Sequence, residues 1–533
     1  MKHLFLLAML SISQVYAQTW EETQKVTSSD GAQGDIFGVS IYADGNYMIV
    51  GALSEKEDAS GTNTLTEAGS AYIYEKDLDG NWNEVQKIVA SDRAAGDKFG
   101  NSVSIYGDYI IVGASLERED ASGGNTLNYA GSAYIYEKDV DGNWNEVQKI
   151  VASDRALFDH FGTSVAIFND YAIIGAYFED EDATGNNTLA DSGSIYVFER
   201  DAEGVWNEVQ KIVASDRESG AYFGYSVSVN GDYLIAGAYR EDKDVAGGNS
   251  LSNAGAAYIF KRDAGGVWNE VQKLVASDRG VEDNFGFVVA IEEDFAIVSA
   301  YREDEDISGG NTLNEAGAAY IFEKDVTGTW NEVRKLVASD RNANDEFGFS
   351  VSIGENYAIV GAQNEDDDAS GGNAMIQAGS AYIFERNASG IWNQMQKIVA
   401  SDRFGSTFFG SSCFIAENYA VIGARLAGVD GISQVGAVYS FQLSPPLSVL
   451  KNDSNPLFKV YPNPSNGKFM LDFDTSYDNI KIEITNIMGQ KTFSKHYQNT
   501  DFIDVEIKGK SGIYFVNVTT TAGNKKTLKV LKK

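Results

Sequence analysis

The chain has 533 residues, 43% hydrophobic and 12% aromatic, which is enough for packed cores in two or more domains and excludes a disordered protein. Its 77 Asp and Glu against 42 Lys and Arg leave a formal charge of −35, which argues against a nucleic-acid partner because phosphate binding needs clustered cations. A single cysteine, Cys413, excludes an internal disulfide, so stability has to come from architecture.

The first 17 residues, MKHLFLLAMLSISQVYA, combine a basic start, an apolar run and a small residue at Ala17, the pattern of a secretory signal peptide. The mature chain is expected to begin at Gln18. The apolar run falls far short of the roughly 20 residues that span a bilayer. No later run is long enough either, so no transmembrane segment is expected.

From Gln18 to Ser444 one sentence is written seven times. A Phe-Gly step begins at Phe37, Phe99, Phe161, Phe223, Phe285, Phe347 and Phe409, each 62 residues after the last. Each repeat holds four apolar runs of strand length, as in FGFVVAI, FAIVSA, AAYIFEK and WNEVQKLVA, punctuated by Gly, Asp and Asn. No segment keeps a helical period. Four short strands per unit, repeated radially, predict a β-propeller with seven blades.

All 7 tryptophans occupy one position of the repeat, but the first copy of that strand, at Trp20, precedes the first Phe-Gly. The last repeat therefore lacks its own outer strand. The reading is an all-β, seven-bladed propeller closed by the N-terminal strand, with Trp20's strand pairing with Gly436–Leu443 and removing two exposed edges. The glycines of Phe-Gly and Gly-Ala are expected where backbones approach closely, and Phe and Trp between blades. The recurring Ala-Ser-Asp-Arg should turn the chain from one blade to the next, with Asp forming the turn and Arg an ion pair.

All 5 prolines lie between Pro445 and Pro464, so residues 445–457 read as a linker. Beyond it the charge reverses, with 12 Lys against 8 acidic residues from Asp453 onward. Residues 458–533 read as a small antiparallel β-sandwich.

The repeat resembles the FG-GAP family, whose propellers also form the head of integrin α-chains. The matching pieces are Phe99-Gly100, Gly113-Ala114, GSAYIYEK and WNEVQKIVASD with their counterparts. The resemblance implies a propeller and, in integrin-type members, calcium in an acidic loop between the first two strands. This chain departs from that loop, since tight hairpins such as IYGDYI take its place. The tail resembles the C-terminal sorting domain of the type IX secretion system of Bacteroidota through VYPNPSNGKF, IEITNIMGQKTF, GIYFVNV and the basic end. This implies type IX secretion machinery as a partner and a secreted or outer-membrane-surface location. A plain β-sandwich binding module is the alternative.

Function is sought where the repeats differ. The long acidic loops joining second and third strands offer Asp180 with Asp182, Asp242 with Asp244, Asp304 with Asp306, and Asp366 with Asp368. These are candidate calcium ligands, or solvated loops ordered by Asn and Gly turns. Beside Phe-Gly and after Gly-Ala, blades three to five become aromatic or basic: Phe158, His160, Tyr177, Phe178, Tyr222, Tyr225, Tyr239, Arg240, Phe287, Tyr301 and Arg302. Such a cluster suits an extracellular glycan or protein ligand, or else packs blades together. The only histidines are His3, His160 and His496, and no Ser-His-Asp or Cys-His arrangement is visible, so no enzyme is expected. The expectation is a monomeric binding or adhesion propeller, with a ligand-free surface scaffold as alternative and a polysaccharide-degrading enzyme behind both.

Overall fold

The computed structural model describes residues 18–444 and 458–533, apart from position 78 and short stretches of the tail at 464, 478, 487–490, 499, 509 and 521–524. The proposed signal peptide and the linker lie outside the described residues. No helix among those described is long and apolar enough to cross a membrane. Two compact units stand out, one of which is Thr19–Ser444.

That unit is seven antiparallel four-stranded sheets. Blade one runs Phe37–Asp44, Tyr47–Ala52, Ser70–Lys76 and Trp82–Ile88, from inner to outer strand. Blades two to six repeat this order. The seventh combines Phe409–Ile415, Tyr419–Ala424 and Ala437–Leu443 with the first strand of the chain, Trp20–Val26. Trp20 lies opposite Leu443 and Val26 opposite Val438.

The second strand of each blade is buried on both faces, which is why it reads as a continuous apolar run such as MIVGA. The outer strand buries its Trp and Ile and exposes Asn and Val, as Trp82 and Ile88 against Asn83 and Val85. Each core cluster joins two neighbouring blades; one holds Ile49, Ile73 and Ile88 of blade one with Phe99, Val112 and Trp144 of blade two. Every tryptophan packs edge-on against an aromatic ring of the preceding blade, as Trp144 does on Tyr47 at 5.7 Å and Trp82 on Tyr419 at 5.6 Å. The Phe of Phe-Gly instead packs within its own blade, Phe99 on Tyr134 at 5.5 Å.

Glycine is required at the hub. A Cβ on Gly113 would stand 2.1 Å from the Gly162 carbonyl oxygen, and one on Gly162 would stand 2.3 Å from that of Ser132. Gly162 also has φ near 90°. The second and third strands of one blade thus approach the lead-in to the next blade's inner strand closer than any side chain permits.

The inner strands enclose a central channel of about 720 Å³, lined by residues of all seven blades. One mouth lies at the tight hairpins; the other lies where the inner strands begin, beside the long acidic loops.

The second unit includes Pro445–Lys533. Its described strands form a three-stranded sheet and a four-stranded one, closed over a core that includes Leu471, Ile482, Ile484, Val505, Val516 and Val530.

Candidate functional site

The acidic loops are rooted by a glutamate that the sequence reading passed over. Glu55, Glu117, Glu179, Glu241, Glu303 and Glu365, three residues after Gly-Ala, are all buried. In blade three, Glu179 Oε1 accepts the Glu181 N–H at 2.9 Å and Oε2 accepts the Tyr196 hydroxyl at 2.9 Å. Tyr196 also donates to Asp154 of Ala-Ser-Asp-Arg at 2.8 Å, and Lys211 Nζ lies 2.7 Å from Asp154 and 3.1 Å from Glu179. A buried carboxylate needs partners, and this Tyr, Asp and Lys set supplies them.

The arginine of Ala-Ser-Asp-Arg does not form the expected ion pair. Arg217 donates to the carbonyls of Asn187 at 2.9 Å and Asp180 at 2.5 Å, so it pins the loop's backbone while Asp154 pairs with Lys211. Planar, five-donor guanidinium suits two diverging carbonyls. A further acid faces five of the six roots, blade four having Ala221 in its place. Asp159 and Asp345 are pushed up to about 7 by burial and by the adjacent Glu179 and Glu365, and Asp35, Asp97 and Asp283 are raised in the same way.

The eight candidate calcium ligands are engaged by their own loops. Asp182 Oδ1 accepts from Thr184 N–H, Thr184 Oγ1 and Asn186 N–H, and its Oδ2 accepts from Asn187. Asp306 and Asp368 repeat this, and Asp244 does so without the hydroxyl. Asp180, Asp242, Asp304 and Asp366 each accept a backbone N–H from the loop's far end, from residues 191, 253, 315 and 377 at 2.7, 2.7, 2.8 and 2.7 Å. Among the described residues, the one group of three carboxylates near enough to share a cation is Asp92, Glu117 and Glu119. Lys149 Nζ already sits there, 2.6 Å from Asp92 and 3.5 Å from Glu117. Hydrogen bonds from the loops' own N–H groups to these carboxylates are what order the loops.

The aromatic candidates do come together. His160 touches Phe178 at 4.9 Å and Tyr177 at 5.6 Å between ring centres; Tyr177 meets Tyr222 at 5.4 Å and Tyr225 at 5.3 Å. Tyr225 meets Tyr239 at 4.7 Å and Phe287 at 5.2 Å, and Phe287 meets Tyr301 at 4.3 Å. Arg240 lies over Tyr222 and Tyr239, and Arg302 over Tyr301, at 4.6, 5.5 and 5.3 Å. Rings from successive blades thus form one arc on the channel mouth, and Tyr225 and Phe287 line the channel itself. The tyrosines and Phe178 are half-buried, Phe287 is buried, and Arg240 is exposed. Burial raises the hydroxyls of Tyr177, Tyr225, Tyr239 and Tyr301, and lowers His160 to about 4, so the imidazole is neutral at neutral pH. Phe158 stands at the end of the arc, 5.7 Å from Tyr129 and 51% exposed.

A family model for the FG-GAP repeat matches residues 20–74, 82–136, 144–198, 206–260, 268–322, 330–384 and 392–441, well over half of the chain. The chain belongs to the FG-GAP repeat family. Residues 459–533 match a secretion system C-terminal sorting domain. No curated protein matches the chain in sequence. Among solved structures, a Lactobacillus plantarum protein from a structural genomics programme aligns over 69% of this chain and 85% of its own, at 10% identity and a TM-score of 0.40.

The FG-GAP repeat as matched begins at the Trp strand, whereas the blade begins at Phe-Gly; the two are offset by one strand. That frame also shows what the sequence reading missed. Arg425 of blade seven occupies the position of Tyr177, Tyr239 and Tyr301, and lies over Phe349 at 5.4 Å and Phe408 at 5.1 Å. Phe349 in turn touches Phe287 at 5.5 Å, so the arc runs on through blade six into blade seven. Aligning these positions over all seven repeats would have found them.

Proposed function

We propose that this FG-GAP propeller is an exported binding protein that recognises an extracellular glycan or protein through the aromatic arc at the loop-side mouth of its channel. One observation carries the reading. Side chains that the fold does not require, because blades one and two do without them, gather from blades three to seven into a single surface with partly exposed rings and guanidinium groups. Aromatic and arginine side chains are those that dominate recognition surfaces.

The sorting tail supports delivery of the propeller to the cell surface or the medium by type IX secretion. What favours binding over catalysis is the chemistry at hand: the propeller's sole histidine is held neutral among rings, and the buried carboxylates are spent on loop roots. A saturable ligand in a screen of extracellular glycans and matrix proteins tests the reading; none would return the propeller to a structural scaffold.

A further inference from the structure

Arginines elsewhere on the propeller are mostly occupied. Arg93, Arg155, Arg217, Arg279, Arg341 and Arg403 hold loop carbonyls, while Arg200, Arg262 and Arg386 lie 2.7, 2.5 and 3.1 Å from a carboxylate. The mouth differs. Among the described residues Arg240 and Arg425 make no ion pair, and Arg302 has only a loose one, Nε to Glu315 at 3.9 Å. Among the described residues the Arg240 guanidinium donates one hydrogen bond, to the Tyr222 hydroxyl at 3.3 Å. In a chain with 77 acidic residues, guanidinium groups left without close carboxylates are not explained by folding.

Each of the three lies over aromatic rings, which hold the planar fork in place and leave N–H donors free for a ligand. A fork of this kind pairs best with a planar or tetrahedral oxyanion. Between the arginines run the rings of Tyr239, Tyr301 and Phe349, continuous apolar surface of the sort on which the C–H faces of pyranose rings lie. Glu346, which accepts a hydrogen bond from Gln363 at 2.9 Å, is the carboxylate whose charge bears on both Arg302 and Arg425. As an acceptor it can take a sugar hydroxyl.

Resting on the binding reading above, we infer that the ligand is an anionic polysaccharide whose acid groups are held by Arg240, Arg302 and Arg425 while its sugar rings lie on the intervening aromatic faces. Repeating acid and apolar units match arginines on blades four, five and seven with aromatic rings between them. The acid group could be a uronate carboxylate or a sulfate ester, which share this chemistry.

The test uses the propeller with its tail, measured by calorimetry and affinity electrophoresis against polygalacturonate, a sulfated galactan, a neutral β-glucan and poly-glutamate. At least one acidic polysaccharide should bind more than 10-fold tighter than the neutral glucan, and which one does so identifies the acid group. Arg240→Gln with Arg425→Gln should weaken it at least 10-fold with an unchanged melting temperature. Should that pair fail to fold, Arg425→Lys, which keeps charge but loses the fork, should still weaken binding several-fold. Equal binding by wild type and the arginine variants, neutral glucan binding as tightly, or poly-glutamate binding as tightly as the polysaccharide would each overturn the inference. A neutral glycan or matrix protein that is lost on Tyr239→Ala but not on arginine substitution would overturn it and leave the binding reading standing.

Discussion

Gln86 grips Trp144 across a blade boundary with both ends of its amide: Nε2 donates to the Trp144 carbonyl at 2.7 Å, and Oε1 accepts the Trp144 N–H at 2.8 Å. The same grip joins Gln24 to Trp82, Gln148 to Trp206, Gln210 to Trp268, Gln272 to Trp330 and Gln396 to Trp20. At the junction of blades five and six the position is Arg334, whose Nε has no hydrogen-bond partner. Two net hydrogen bonds are worth about 1–3 kcal/mol. Arg334→Gln should therefore stabilise the propeller by about 1 kcal/mol or more, and Gln210→Ala should destabilise it by a similar amount. Chemical denaturation of the two variants checks both signs.

The acids facing the loop roots make stability depend on pH. Their folded-state values are raised above that of an unfolded Asp, by burial first and by the neighbouring glutamate second, to about 7 for Asp159 and Asp345. Such a group stabilises fully below its unfolded value near 4 and loses that contribution as pH rises through about 7. The melting temperature should fall between pH 5 and pH 8.5. Asp159→Asn should flatten part of that slope, as an amide cannot ionise. Exposed loop acids such as Asp182, whose values are depressed by hydrogen bonds from their turns, act only below this window.

Calcium should not stabilise the propeller. The loop aspartates already accept the N–H groups around them, and Lys149 fills the one described group of three close carboxylates. A ligand bound only by the folded state must raise its melting temperature. The expected result is no change between chelator and millimolar calcium; a rise of several degrees would assign the loops to the metal.

The architecture was legible because a 62-residue period and one tryptophan per repeat count blades directly, and the displaced Trp20 shows which strand joins the last sheet. The arc was legible in blades three to five, where Tyr and Arg break an otherwise uniform repeat. It was not legible at Arg425 and Phe349 because the tyrosine that follows Gly-Ala in blades three to five gives way to Gln363 in blade six. Glu179 and Gln86 were passed over for the opposite reason. Their repetition makes them look like ordinary surface polar residues, and only the packing of neighbouring blades buries the one and directs the other. The role of Arg217 was misread because an arginine beside an aspartate suggests a pair, whereas Arg217 donates to two loop carbonyls that also accept the loop's own N–H groups.

The central claim is that the arc is a recognition surface and not only blade packing. The most direct measurement is the affinity of wild type, Tyr239→Ala with Tyr301→Ala, and Leu53→Ala for the ligand found by the screen, each protein shown by its melting curve to be folded. Leu53 holds the position of Tyr239 on blade one, outside the arc. The account predicts a loss of at least 10-fold in the tyrosine variant and none in the Leu53 variant. A folded tyrosine variant that binds as tightly as wild type would contradict it.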